Sequence, residues 1–249
     1  MEKEPYFKVL GPGGACCHGG VGRWLTDQSW MPVVHGNLAP CVRGYHLCRT
    51  NNLVEWLGEC IWIAEGRGKP FISADHLIFQ EARVLRLLPT WTPATARLFA
   101  VECAERVLPM ITTLYPDETR PGLSIQTARD SVTHPIPFSR MTEVAMEAWN
   151  ASRRLDGAAR DVALAAYGTA AWQSGGIAAW AASGSARTAV AAAASEQVMI
   201  DAQKTGAHPR DAERTAIAAA SAALKAEQEW QTNRLFELLG DVTQQKPQV

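Results

Sequence analysis

The chain has 249 residues and a formal net charge of −1, with 24 Lys plus Arg against 25 Asp plus Glu. A balance this close to neutral excludes a surface built to hold nucleic acid or anionic lipid by charge alone. No run of about 18 consecutive apolar residues occurs, which excludes a conventional membrane-spanning helix.

The length accommodates one large domain or two small ones, and composition favours two. Residues from Tyr6 to Leu88 are rich in Gly, Cys, Trp and β-branched side chains. Residues from Asn150 to Leu239 are rich in alanine, with runs such as Ala191-Ala192-Ala193-Ala194. The expected fold is therefore α+β: a small, mostly antiparallel β module over residues 1–88, an Ala-rich helical bundle over 89–243, and a frayed tail over 244–249. The first residues, Met1-Glu-Lys-Glu-Pro5, carry no apolar signal core, so the expected compartment is the cytoplasm. There the cysteines Cys16, Cys17, Cys41, Cys48, Cys60 and Cys103 are expected as thiols.

In chain order, Phe7-Lys-Val-Leu10 reads as a strand that ends at the turn Gly11-Pro-Gly-Gly14. Gly44 to Cys48 is expected to be extended. Asn51 or Asn52 is placed to cap a short helix through Val54, Trp56 and Leu57, stopped by Gly58. Cys60 to Glu65 reads as a buried strand, Gly66 to Pro70 as its turn, and His76 to Ala82 as its partner. Thr92-Pro93 opens a helix with the stripe Phe99, Cys103, Val107, Ile111 and Leu114, and with Glu102 and Arg106 paired four apart. Pro109 is expected to kink or end it.

A further helix is predicted from near Pro121 through Ala128, and another from a Ser139 cap through Trp149. Beyond it, glycines at 157, 168, 175, 176, 184 and 206 are expected to punctuate the helices. Lys204-Thr-Gly206 suits a helix end, and Pro209 opens the last helix, which runs to Gly240. Alanine buries little area per residue, so the large side chains Trp149, Leu164, Tyr167, Trp172, Ile177, Trp180 and Trp230 are expected to carry much of the packing. Ala170-Ala-Trp172 and Ala178-Ala-Trp180 form a weak internal repeat, too short in period for a solenoid.

Chemistry has few footholds in the sequence. Cys16-Cys-His18 and Cys41-x4-His46-x-Cys48 supply zinc-type ligands, but neither half has paired ligands at the usual spacing of two to four; free thiols are the simpler reading. Should zinc bind, Cys16 or His18 with Cys41, His46 and Cys48 is the expected set. Gly19-Gly-Val-Gly22 and Gly11-Pro-Gly-Gly14 lack the Lys-Ser/Thr ending of a phosphate loop and read as turns. Cys48 and His46 lie two apart on one face of a strand, with no third orienting group for nucleophilic catalysis. A cleft of Trp24, Arg43, Tyr45, His46, Arg49 and Trp56, with Glu65 as a strand-end carboxylate, is the candidate surface for a ligand or partner, because Arg and aromatic residues dominate such contacts. Core packing of the same aromatics is the alternative. No catalytic residue, metal or cofactor is assigned.

Resemblance adds a functional expectation. Tyr6-Phe-Lys-Val-Leu-Gly-Pro12, His18-Gly-Gly20, Gly22-Arg-Trp24, Cys41-Val-Arg-Gly-Tyr-His-Leu-Cys-Arg49 and Leu53-Val-Glu-Trp-Leu57 resemble an uncharacterised N-terminal domain of phage and prophage proteins. Ala96 to Pro109, Asp117-Glu-Thr-Arg-Pro121, the Ala/Trp-rich helices and Glu229 to Phe236 resemble proteins described as immunity proteins of bacterial toxin systems. The resemblance carries over no catalytic residue. It implies a protein that neutralises a bacterial effector or defence component by stoichiometric binding, in an immunity or anti-defence role. This chain has Gly175-Gly176 and Ser where those sequences alternate Asp and Arg among the alanines, which leaves its helices less charged. A nucleotide-binding enzyme or sensor using the N-terminal cleft is the alternative, and a homo-oligomer packed through Ala-rich helices is a further expectation.

Overall fold

The computed structural model describes residues 5–242, and the frayed tail expected over 244–249 lies outside them. Among the described residues, contacts divide the chain into two units: one up to Pro93 together with the segment from Thr232, and one over Ala94–Gln231.

The first unit holds two three-stranded antiparallel sheets. In one, β1 (Tyr6–Leu10) and β6 (Glu81–Leu87) flank β3 (Cys60–Arg67). In the other, β2 (Tyr45–Leu47) and β4 (Phe71–Ile72) flank β5 (Leu77–Phe79). The strand predicted from His76 to Ala82 is thus two strands. Its first part pairs with β2 and β4, and the chain changes sheets at Gln80, so the partner of β3 is β6. The expected turn from Gly66 also starts later, because β3 runs on to Arg67. A bridge between Phe7 and Cys48, with N–H···O distances of 2.9 and 2.8 Å, ties β1 to the end of β2. Leu10, Trp24, Leu47, Leu77, Phe79 and Val84 form the core.

The short helix expected after Asn51 is a 3-10 helix, Thr50–Glu55, whose N-cap position is Arg49. Gly44 enters β2 at φ 122°, and a Cβ there would lie 2.4 Å from Ile78 Cγ2. Only glycine meets both conditions.

The second unit is helical. Its elements are α1 (Pro93–Val107), α2 (Pro109–Leu114), α3 (Arg120–Thr133), α4 (Phe138–Ser152), α5 (Gly157–Ala170), α6 (Gly175–Thr205) and α7 (Pro209–Leu239), the last continuing into the first unit from Thr232. Thr92-Pro93, Pro109, Gly206 and Pro209 act as punctuation where the sequence places them. Ser139 does not cap α4, since Pro137 is its N-cap. Gly168 and Gly184 lie inside helices rather than at their ends. Arg106 reaches Glu227 of α7, with Nε donating to Oε2 at 2.8 Å. Leu114, predicted on the buried stripe, is 67% exposed because the α1 stripe is interrupted at Pro109.

The main correction concerns packing. Much of the core of this unit is alanine: Ala158, Ala159, Ala163, Ala165, Ala166 and Ala170 of α5 and Ala178, Ala179, Ala182, Ala186 and Ala189 of α6 are all buried, beside Phe99, Val107, Ile111, Ile125 and Val144. Of the large side chains expected to pack, Leu164, Tyr167, Ile177 and Trp230 are half-buried, but Trp149, Trp172 and Trp180 are 38%, 41% and 42% exposed. Small side chains let helix backbones approach closely, which fills the interface with backbone and leaves no room for large rings.

Both ends of α5 are held by charged side chains from other helices. Glu196 Oε1 of α6 accepts from the Ala158 amide at 2.9 Å. Arg97 of α1 donates to the Thr169, Trp172 and Gln173 carbonyls at 2.6, 2.7 and 3.1 Å. A carboxylate at the N-terminus and a guanidinium at the C-terminus each complement the helix dipole.

Candidate functional site

Within the first unit a cleft of about 630 Å³ opens between β1, β2 and the long connection that joins them. Its walls include Lys8, Trp24, Tyr45, His46, Trp56 and His76, and the loop from Cys16 to Arg23 closes one side. The loop reaches the cleft because Cys16 N–H donates to the Gly22 carbonyl at 3.0 Å and Trp24 N–H to the Gly14 carbonyl at 2.8 Å. His18 anchors it further, with Nε2 at 3.0 Å from both the Trp56 and Leu57 carbonyls. Both contacts require Nε2 to carry the proton.

The predicted surface residues are divided by this geometry. Trp24, Tyr45 and His46 share the cleft, and the Trp24 and Tyr45 rings meet edge to face at 5.3 Å. Trp24 is only 6% exposed, and the Tyr45 hydroxyl donates to the Pro32 carbonyl at 2.7 Å. Arg43, Arg49 and Glu65 are not among the lining residues. Arg43 is exposed and its guanidinium lies against Gly36. Glu65 is paired across β3 and β6 with Arg83, whose Nη2 lies 2.8 Å from Oε2. Arg83 in turn stands 4.7 Å from the Trp30 ring centre, beside Arg67 at 3.7 Å.

Trp56, expected in the cleft from the sequence, lines it as well, and Lys8 and His76 are lining residues that the sequence does not single out. Lys8 was visible as the one cation interrupting an apolar strand, between buried Phe7 and buried Val9. His76 lay within a run read as a strand.

Burial sets the protonation of the cleft. The Cys48 thiol is pushed up to about 12, chiefly by desolvation, and burial also raises Cys17. Both stay thiols at neutral pH, so the His46–Cys48 pair has no thiolate to use. Among the described residues no group of three or more His, Cys, Asp or Glu is arranged to hold a metal ion. His46 Nε2 accepts from the Cys41 amide at 3.2 Å.

Desolvation first, and the nearby His76 second, lower His46 from 6.5 to about 4. Between these values the unfolded chain binds more protons than the folded one. This group's contribution to the stability of the first unit is therefore fully present above pH 6.5 and is lost as pH falls towards about 4. Urea midpoints of His46→Gln should vary less with pH across that window than those of the wild type. Identical slopes would contradict the assignment.

The helical unit offers a different surface. Besides the three tryptophans, Leu123, Phe138, Met146 and Ile217 are 47%, 41%, 45% and 64% exposed. Trp149 of α4 stacks obliquely on Tyr167 of α5 at 5.3 Å. Inside the unit a polar network joins three helices. Glu227 of α7 is 3% exposed and meets both Arg106 and Gln231. Gln231 accepts from Arg187 of α6 at 2.6 Å and donates to the Ser183 carbonyl at 3.1 Å. Such a network fixes helix register at the cost of desolvating charge.

Comparison with protein families matches residues 88–238 to the family described as "Imm-5 like putative immunity protein". The chain belongs to that family. The Imm-5 like match takes in all of α1 to α6 and nearly all of α7, and therefore the exposed tryptophans, the Arg97 cap and the Glu227 network. The cleft lies before it, so the Imm-5 like assignment says nothing of Lys8 or His76. No curated protein and no solved structure matches the chain. Among the described residues no helix is long and apolar enough to cross a membrane.

Proposed function

We propose that the chain neutralises a bacterial effector or defence protein by stoichiometric binding, in the phage- or prophage-associated setting that its N-terminal sequence resembles. Family membership supports an immunity role, and the observation that carries the binding reading is the position of the tryptophans. An alanine core excludes Trp149, Trp172 and Trp180 from the interior and leaves each about two-fifths exposed. Trp149 and Trp180 lie on α4 and α6 and Trp172 in the connection between α5 and α6, and exposed tryptophan held by ordered backbone contributes large contact area at small entropic cost and is enriched where partners bind. Lower charge along α6 reduces the desolvation that docking would require. Arg43 and Arg49 are further candidates for partner contact, at the surface of the other unit.

The test is co-expression with a panel of bacterial effectors that arrest growth. The wild type restores growth against its cognate effector. Trp149→Ser, Trp172→Ser and Trp180→Ser combined lose about tenfold or more in affinity for it, with helical content unchanged. Growth rescue by the triple variant at wild-type affinity would overturn the assignment of these rings, and rescue of no effector in the panel would count against the immunity reading.

A further inference from the structure

The part of the first unit before residue 88 precedes the family match and carries a site of its own. We infer that its cleft binds a small ligand made of a flat aromatic ring and one anionic group, a phosphate or a carboxylate. This goes beyond effector binding and does not rest on it.

Three observations converge. The cleft volume, about 630 Å³, falls within the usual range for small-ligand sites. Its lining residues include Lys8, Arg23 and three histidines but no Asp or Glu. Arg23 is engaged, its Nη1 donating to the Gly13 carbonyl at 3.0 Å.

Lys8 is the unmet charge. Its ammonium stands 4.8 Å from the centre of the Trp24 ring, and no hydrogen bond or ion pair holds it among the described residues. Burial pushes it below its ordinary value, and the neighbouring thiols of Cys17 and Cys48 are neutral and supply no counter-charge. A cation drawn from water without a partner is costly, and an anion in the cleft removes that cost.

His76 is the second unmet group. It is 7% exposed; its Nδ1 is fixed by Asp75 at 2.7 Å, while its buried Nε2 has no partner. Its ring packs against His46 at 4.8 Å and edge-on to Trp56 at 5.7 Å, two other walls of the cleft. Trp56 Nε1 is likewise buried without a partner. Buried polar atoms are nearly always paired in a finished site, so two orphans beside an unpaired ammonium mark a place completed by a ligand. The aromatic walls favour a ring, and Lys8 favours its anionic substituent.

The experiment titrates the full chain, by calorimetry and tryptophan fluorescence, with nucleoside monophosphates, the matching nucleosides, an indole carboxylate and inorganic phosphate. Saturable binding of a ring-bearing anion, about tenfold or more tighter than its uncharged counterpart, is expected. Tighter binding of the monophosphates identifies a phosphate ligand, and tighter binding of the indole compound a carboxylate. Lys8→Met loses that affinity and Lys8→Arg regains part of it, with near-ultraviolet circular dichroism checking the fold. Because the charged and uncharged ligands are compared on the wild type, the result stands even where Lys8→Met fails to fold. No saturable binding by any probe, equal affinity for charged and uncharged rings, or full affinity in a folded Lys8→Met would overturn the inference.

Discussion

Arg97→Met lowers the stability of the helical unit by about 3 kcal/mol, read from urea unfolding followed by circular dichroism. Arg97 is 9% exposed and its guanidinium meets three carbonyls at and just beyond the end of α5. Methionine keeps much of the volume but leaves those carbonyls without their donor in a region closed to water. The negative end of the α5 dipole also loses its cation. Arg97→Lys should recover only part of the loss, because one ammonium cannot span the contacts that a planar fork makes. A loss below about 1 kcal/mol for Arg97→Met would show that the carbonyls find water instead.

Gly168→Ala and Gly184→Ala shift stability in opposite directions although the chemical change is the same. Both glycines lie inside helices, where alanine is the better former by about 1 kcal/mol. At Gly184 the nearest atom to an added Cβ is Arg187 Nη2 at 4.0 Å, so the propensity gain stands and the variant is more stable. At Gly168 the Cβ would lie 2.8 Å from the Ala182 amide nitrogen and 3.1 Å from its Cα. Backbone of α6 has to move, and overpacking at about 1–3 kcal/mol exceeds the propensity gain. Gly168→Leu costs more again. Thermal unfolding of the two alanine variants checks the pair, and a stabilised Gly168→Ala would mean that α5 and α6 are not in such close contact.

Local signals in the sequence were legible where one segment decides its own structure. The strand from Phe7, the Thr92-Pro93 opening, the break at Pro109 and the Lys204-Thr-Gly206 ending follow from backbone chemistry within a few residues. Pairing was not legible. His76 to Ala82 reads as one apolar run, and nothing local marks Gln80 as the point where the chain leaves one sheet for another. Nor does an alanine-rich sequence state that its helices approach until tryptophan is excluded; that follows only once α5 and α6 meet at Gly168.

Long-range caps were hidden for the same reason. Arg97 and Thr169 are 72 residues apart, Glu196 and Ala158 are 38 apart, and neither pair has a spacing rule. In the cleft, the Tyr45-His46 segment was visible by its side-chain types. Lys8 and His76 each sit in a run whose local signal is that of a strand, and only the fold brings them to the same cleft as Trp24 and Trp56.

The central claim is that this immunity-family chain acts by binding, through the helical unit. It is tested most directly by titrating the purified cognate effector with the full chain while measuring both heat and the effector's toxic activity. Activity is expected to fall in proportion to the chain added and to end at a fixed molar ratio, and the variant with Trp149, Trp172 and Trp180 all changed to Ser is expected to shift the titration to higher concentration. Protection by substoichiometric amounts of the chain would contradict it, because inactivation would then be catalytic.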